Sequence, residues 1–199
     1  MKRSIAILLV VLALSFVYGQ TENVRPRPFG FTPGMTKKQA ITAVGADKIK
    51  KQNDSTLIFS SAPTPAGGPI EEYMLLFAPN AGLAKAVGIG RTVNNPTDLR
   101  DDYGKIAAVL TVKYGKPSEN FDFCNGDVYK DHSEFFFLGL NHKDCHLTSV
   151  WKLSDSTVIM LDANGASDLN SGWIDVGYEF HPEFEDFAAA KDKASQAAY

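Results

Sequence analysis

Beyond its first twenty positions the chain has no apolar run that would span a bilayer, which takes about 20 residues. It has only two cysteines and four histidines in 199 residues, which excludes chemistry built on many thiols or imidazoles. No block of Lys or Arg occurs anywhere. Setting aside Lys2 and Arg3 leaves 18 Lys and Arg against 23 Asp and Glu, a formal charge of −5. A nucleic-acid or anionic-lipid partner therefore has no electrostatic footprint here. No Ser sits in a G-x-S-x-G elbow, and neither H-E-x-x-H nor a phosphate-cradling G-x-x-x-x-G-K-[ST] is present. The G-x-G at Gly88 and Gly90 lacks the third Gly and the following helix that a nucleotide site needs. No cofactor and no catalytic set is expected from the residues.

What is there begins with an export pattern. Met1-Lys2-Arg3 is basic, Ile5 to Val17 is apolar apart from Ser15, and Val17-Tyr18-Gly19 supplies the small residues that a signal peptidase reads. Residues 1–19 are expected to be a signal peptide, with cleavage between Gly19 and Gln20. The alternative is the same segment left uncleaved as an anchor. No Cys lies near that point, so no lipid anchor is expected. In an oxidising compartment the two cysteines, Cys124 and Cys145, read first as one disulfide. Closing a loop of that size constrains the unfolded chain by about 3 kcal/mol in the entropic model. The competing reading is a zinc site using Cys124, His142, Cys145 and His146, which has the right ligand types but no close Cys pair.

Residues 20–34 are rich in Pro and Gly and read as an extended arm. Thr36 and Gln39 form a capping-box pattern for a short helix with Ala40, Ile41 and Val44 on its apolar side, stopped by Gly45. Strands are expected at Thr56–Phe59, Tyr73–Phe77 and Val87–Ile89, the last two as a hairpin. Gly88 and Gly90 imply that something bulky approaches that face, for which a packed helix is expected ahead of a ligand.

Asn95, Pro96, Gly115 and Pro117 bracket a long helix, with Leu99, Tyr103, Ile106, Leu110 and Tyr114 on one face. Asp98, Asp101 and Asp102 are read as solvated acids near the helix start, with Asp101 paired to Lys105. Phe135 to Leu138 fits either a buried strand or a short helix begun at Ser133. Alternation around Trp151, over Val158–Leu161 and over Ile174–Phe180 predicts an antiparallel meander, with Asn164-Gly165 opening a loop. Asp162, Asn164 and Asp168 offer alternate oxygen ligands of the kind calcium takes, without the later bidentate Glu; the same residues also serve simply as a turn.

The whole reads as an α+β domain, residues 35–181, with antiparallel sheet and helices packed on one face. Its element order suggests two α-βββ halves, 35–93 and 95–181, followed by a C-terminal helix or tail over 182–199. Pro33-Gly34-Met35-Thr36-Lys37-Lys38-Gln39-Ala40-Ile41, closing with Val44-Gly45, resembles the helix start of the SmpA/OmlA (BamE-type) outer-membrane-assembly proteins. It is also similar to the opening of the β-lactamase-inhibitor proteins, which repeat a helix-plus-sheet unit. The family's lipoprotein cysteine is absent. The resemblance implies an α+β binding scaffold in a bacterial envelope and carries over no functional residues. A non-enzymatic module that binds an envelope protein through its sheet or its Pro-rich arm is thus expected. The alternatives are a periplasmic hydrolase or metal-dependent enzyme using the His132–His146 region, and carriage of a small ligand between sheet and helix.

Overall fold

The computed structural model describes residues 25–130 and 132–196; the expected signal peptide and its Gly19/Gln20 junction lie outside them. Eight strands form one antiparallel sheet: β1 (Ile49–Gln52), β2 (Thr56–Phe59), β3 (Ile70–Ala78), β4 (Gly82–Gly90), β5 (Glu119–Cys124), β6 (Cys145–Lys152), β7 (Thr157–Gly165) and β8 (Gly172–Phe180). The helices are α1 (Lys37–Val44), α2 (Pro96–Tyr114), α3 (Asp127–Lys130), α4 (Phe136–His142) and α5 (Glu183–Gln196). Strand order is β1-β2-β3-β4-β8-β7-β6-β5. Each half therefore starts at its own sheet edge and ends in the centre, where β4 pairs with β8. Each has four strands rather than the expected three, because the edge strands β1 and β5 precede them; the first half runs α-ββββ, whereas the second carries α3 and α4 between β5 and β6.

Local chemistry accounts for the elements. Thr36 Oγ1 accepts from the Gln39 amide, while the Gln39 side chain accepts from the Thr36 amide at 2.8 Å, completing the capping box of α1. Asn95 Oδ1 accepts from the Thr97 amide at 2.8 Å, and Pro96 occupies the first turn of α2, where its missing N–H costs nothing. Leu99, Tyr103 and Leu110 of α2 are buried against the sheet, as their spacing requires. In the strands, alternate residues such as Leu57, Leu75, Ala86, Tyr178, Ile159 and Trp151 are buried and face one core. Trp151 Nε1 donates to the Gly115 carbonyl at 2.9 Å, tying β6 to the end of α2.

Residues 20–24 of the expected Pro-rich arm lie outside the described residues; from Arg25 onward it is not a free arm. Its 3-10 turn, Pro28–Gly30, turns Phe29 into the core, and Phe31 is fully buried. Phe29 holds a left-handed φ of 57°, an unusual conformation for a large side chain, and its ring lies edge-on to Tyr73 at 5.0 Å and Tyr178 at 5.8 Å. A side chain at Gly88 would meet that ring at 2.9 Å, and one at Gly90 would meet Ile174 at 2.8 Å. The bulky approach to these glycines thus comes from Phe29 and the neighbouring strand, not from a packed helix. Arg25 completes the docking, donating to Glu183 at 2.6 and 2.8 Å.

The acids at the start of α2 depart from expectation. Asp102 is buried rather than solvated: it accepts from Arg91 at 2.8 Å and from Lys105 at 3.1 Å, so Lys105 pairs with Asp102 and not with Asp101. Burial alone would raise the Asp102 pKa, but these two cations outweigh it and hold the carboxyl below its usual range. Phe135–Leu138 is helical, running from the 3-10 turn Ser133–Phe135 into α4, which buries Phe136, Phe137 and Leu140. Cys124 and Cys145 are direct cross-strand partners on β5 and β6 and form a disulfide, with Cα atoms 4.0 Å apart. Among the described residues, no helix is long and apolar enough to cross a membrane.

Candidate functional site: the open face of the sheet

The sheet has a second face, opposite the core. At one end α5 covers it: Lys85 of β4 lies over the Phe184 ring at 5.6 Å and pairs with Glu179 of β8 at 2.7 Å. The helix buries none of its own residues completely, and its contacts concentrate on β3, β4 and β8. Among the described residues, no helix gives the stretch over β5, β6 and β7 such cover on this face. There Phe121 is 40% exposed and Phe123 44% exposed, unusual values for phenylalanines held on a strand. The Phe123 ring sits 5.0 Å from His146 and 6.4 Å from Phe121.

Strand register lines this face with ordered rows, because direct cross-strand partners share a face. One row runs Phe121–Thr148–Asp162–Asp175–Ile89–Glu72 across six strands. The next runs Glu119–Val150–Met160–Gly177–Val87–Met74 and is apolar through its middle. Trp173 and Asn164, themselves partners, stand beside the first row.

Asp162 and Asp175 face each other directly, two like charges where opposite ones would stabilise. Asp162 accepts from the Thr148 hydroxyl. Asp175 accepts from Trp173 Nε1 at 3.1 Å and from Asn164 Nδ2 at 3.2 Å. Burial pushes the Asp175 carboxyl up to about 6, with Asp162 adding to the rise; the Trp173 hydrogen bond, Lys85 and Lys143 act against it. The arrangement is a half-buried acidic centre flanked by aromatic and apolar side chains.

The calcium reading does not hold. Asn164 and Gly165 belong to β7, paired with Trp173 and Gly172, rather than opening a loop. Asp168 instead closes the turn, accepting from Ser171 Oγ at 2.8 Å and the Asn170 amide at 2.9 Å. The zinc reading fails because the disulfide takes both sulfurs, and no group of three or more metal-binding side chains converges among the described residues. His132 is surface-exposed beside Glu134, His142 is exposed at the end of α4, and His146 lies on the open face, so the three do not assemble one reactive set.

Two of the cavities, each of about 400 Å3, adjoin α2. One lies between the start of α2 and β5, where Arg100 donates to both Asp122 oxygens at 3.0 Å and stacks over Phe136 at 4.6 Å. Its lining includes neither His142 nor His146. The other is apolar, between α2 and the Ala66–Pro69 loop, with Phe29, Val176 and Tyr178 on its floor and Val109 at its rim.

Sequence reasoning missed the acidic row because only the register sets Asp162 against Asp175. The one signal that could have found it is a lone Asp in the outward position of each of two successive meander strands. Comparison with protein-family models, with curated proteins and with solved structures found no match to this chain.

Proposed function

We propose that this protein is an exported, non-enzymatic binding module that grips a protein partner with the open face of β5–β8. The observation that carries the reading is the exposed pair Phe121 and Phe123 beside His146, on a sheet face that no helix covers among the described residues. The export pattern of residues 1–19 and the Cys124–Cys145 disulfide support an oxidising compartment, periplasmic or extracellular. The resemblance of residues 33–45 to envelope-scaffold proteins points the same way. The Pro-rich arm has no part in this reading, since Phe29 and Phe31 are committed to the core.

Amino-terminal sequencing of the exported protein is expected to begin at Gln20. Affinity capture with the processed protein, run beside a Phe121→Ser/Phe123→Ser variant, tests the binding surface. A partner held by the natural chain and lost from the variant supports it; equal capture by both refutes it. A second reading has its own observation, the apolar cavity under α2. Native mass spectrometry after gentle purification tests it, with a bound neutral apolar molecule as its expected result.

A further inference from the structure

Resting on that docking reading, we propose that the partner seats a basic side chain, Lys or Arg, between Asp162 and Asp175, while its neighbouring apolar residues lie against Phe121, Val150 and Met160. The argument is one of charge complementarity on an uncovered surface. The two carboxylates are direct partners on adjacent strands, and like charges so placed oppose folding. Nothing in the core requires them, because they point away from it.

The cations around them are engaged elsewhere or stand off. Lys85 pairs with Glu179 at 2.7 Å, Lys50 with Glu72, and Lys152 with Glu119. His146 lies against the Phe123 ring. Lys143, beyond the end of α4, makes no ion pair with either carboxylate among the described residues. The hydrogen bonds from Thr148, Trp173 and Asn164 fix the two carboxylates in place without neutralising them. A guanidinium or ammonium from outside would supply the missing charge. The apolar row beside it, Val150 and Met160, gives the flanking residues of the partner a surface to cover.

The test uses short synthetic peptides with a central Arg, Lys, norleucine or Glu, flanked by Leu and Phe. Binding is followed by titration and by the indole N–H resonance of Trp173, which reports on Asp175 directly. The Arg and Lys peptides are expected to bind and shift that resonance, with affinity falling as salt rises. The norleucine and Glu peptides are expected to be weaker by about tenfold or more. An Asp162→Asn/Asp175→Asn variant is expected to lose the preference for the basic peptides. Equal binding of all four peptides, abolished by Phe121→Ser/Phe123→Ser, overturns the basic-residue inference and leaves the docking reading standing. No shift of Trp173 at millimolar peptide overturns both. A dimer seen by sedimentation and abolished by Phe121→Ser would assign the face to a second copy of this chain, and overturns the proposal as well.

Discussion

Asp162 of β7 and Asp175 of β8 oppose one another across the strand pair, and neither has an ion-pair partner among the described residues. The Asp175 carboxyl is raised from 3.8 to about 6, chiefly by burial and further by Asp162. A group whose pKa is higher in the folded than in the unfolded chain favours folding when protonated. Its contribution is complete below the unfolded value and is lost as pH rises through about 6. Asp175→Asn should therefore remove the loss of stability between pH 4 and 6 that this residue causes. At pH 7 the variant should be more stable by about 1–3 kcal/mol. Denaturant titrations of both proteins from pH 4 to 8 measure the difference. Subtracting one profile from the other cancels the opposite trend of Asp102 and Glu183, whose pKa values are lowered.

The Phe29–Gly88 contact gives a prediction about the arm. Gly88→Val puts atoms where the Phe29 ring stands 2.9 Å from an added Cβ, so the ring or the strand must move. Thermal melting should show a loss of about 1–3 kcal/mol. Phe29→Ala should cost about 3–5 kcal/mol, because its buried ring contacts Tyr73 and Tyr178. Unchanged melting of Phe29→Ala would mean that the arm is a loose appendage after all.

The disulfide closes a separation of 21 residues between two strands, one of which is the sheet edge carrying Phe121 and Phe123. Cys124→Ser/Cys145→Ser is expected to lower stability by about 3 kcal/mol. Amide exchange should rise first in β5, whose other ties include the ladder to β6, the Asn120–Ser149 hydrogen bond at 2.6 Å and the Arg100–Asp122 and Lys152–Glu119 pairs. Uniform protection of β5 in that variant would contradict the role given to the disulfide.

How much of this was legible depended on whether a residue's burial follows a local period. The long helix α2 could be read because Asn95, Pro96 and Gly115 mark its ends and Leu99, Tyr103 and Leu110 repeat at helical spacing. The meander β6–β7–β8 could be read because one face is dry and the other wet. The edge strands β1 and β5 could not: Ile49-Lys-Lys-Gln52 and Glu119-Asn-Phe-Asp-Phe-Cys124 bury no residue completely, so no alternation reports them. Phe29 and Phe31 were hidden by the prolines and glycines around them, which signal a turn but not what the turn carries inward. Asp102 looked like an ordinary acid of a helix start, because its partner Arg91 lies on the preceding loop and is brought to it only by the fold. The acidic row of the open face was illegible for the same reason. Register across β6, β7 and β8 is a tertiary property, and it alone puts Thr148, Asp162 and Asp175 in line.

The central claim, that the open face of β5–β8 is where a partner docks, is tested most directly by site-specific photocrosslinking in cultures of the cells that make the protein. A photoreactive residue placed at Phe121, Phe123 or Met160 probes the face. One at Val112, 91% exposed on the outside of α2, is the control. The account predicts one recurrent protein adduct from the three sheet positions, none from Val112, and loss of that adduct when Asp162→Asn/Asp175→Asn is added. Adducts from Val112 alone, or equal labelling from all four positions, would contradict it.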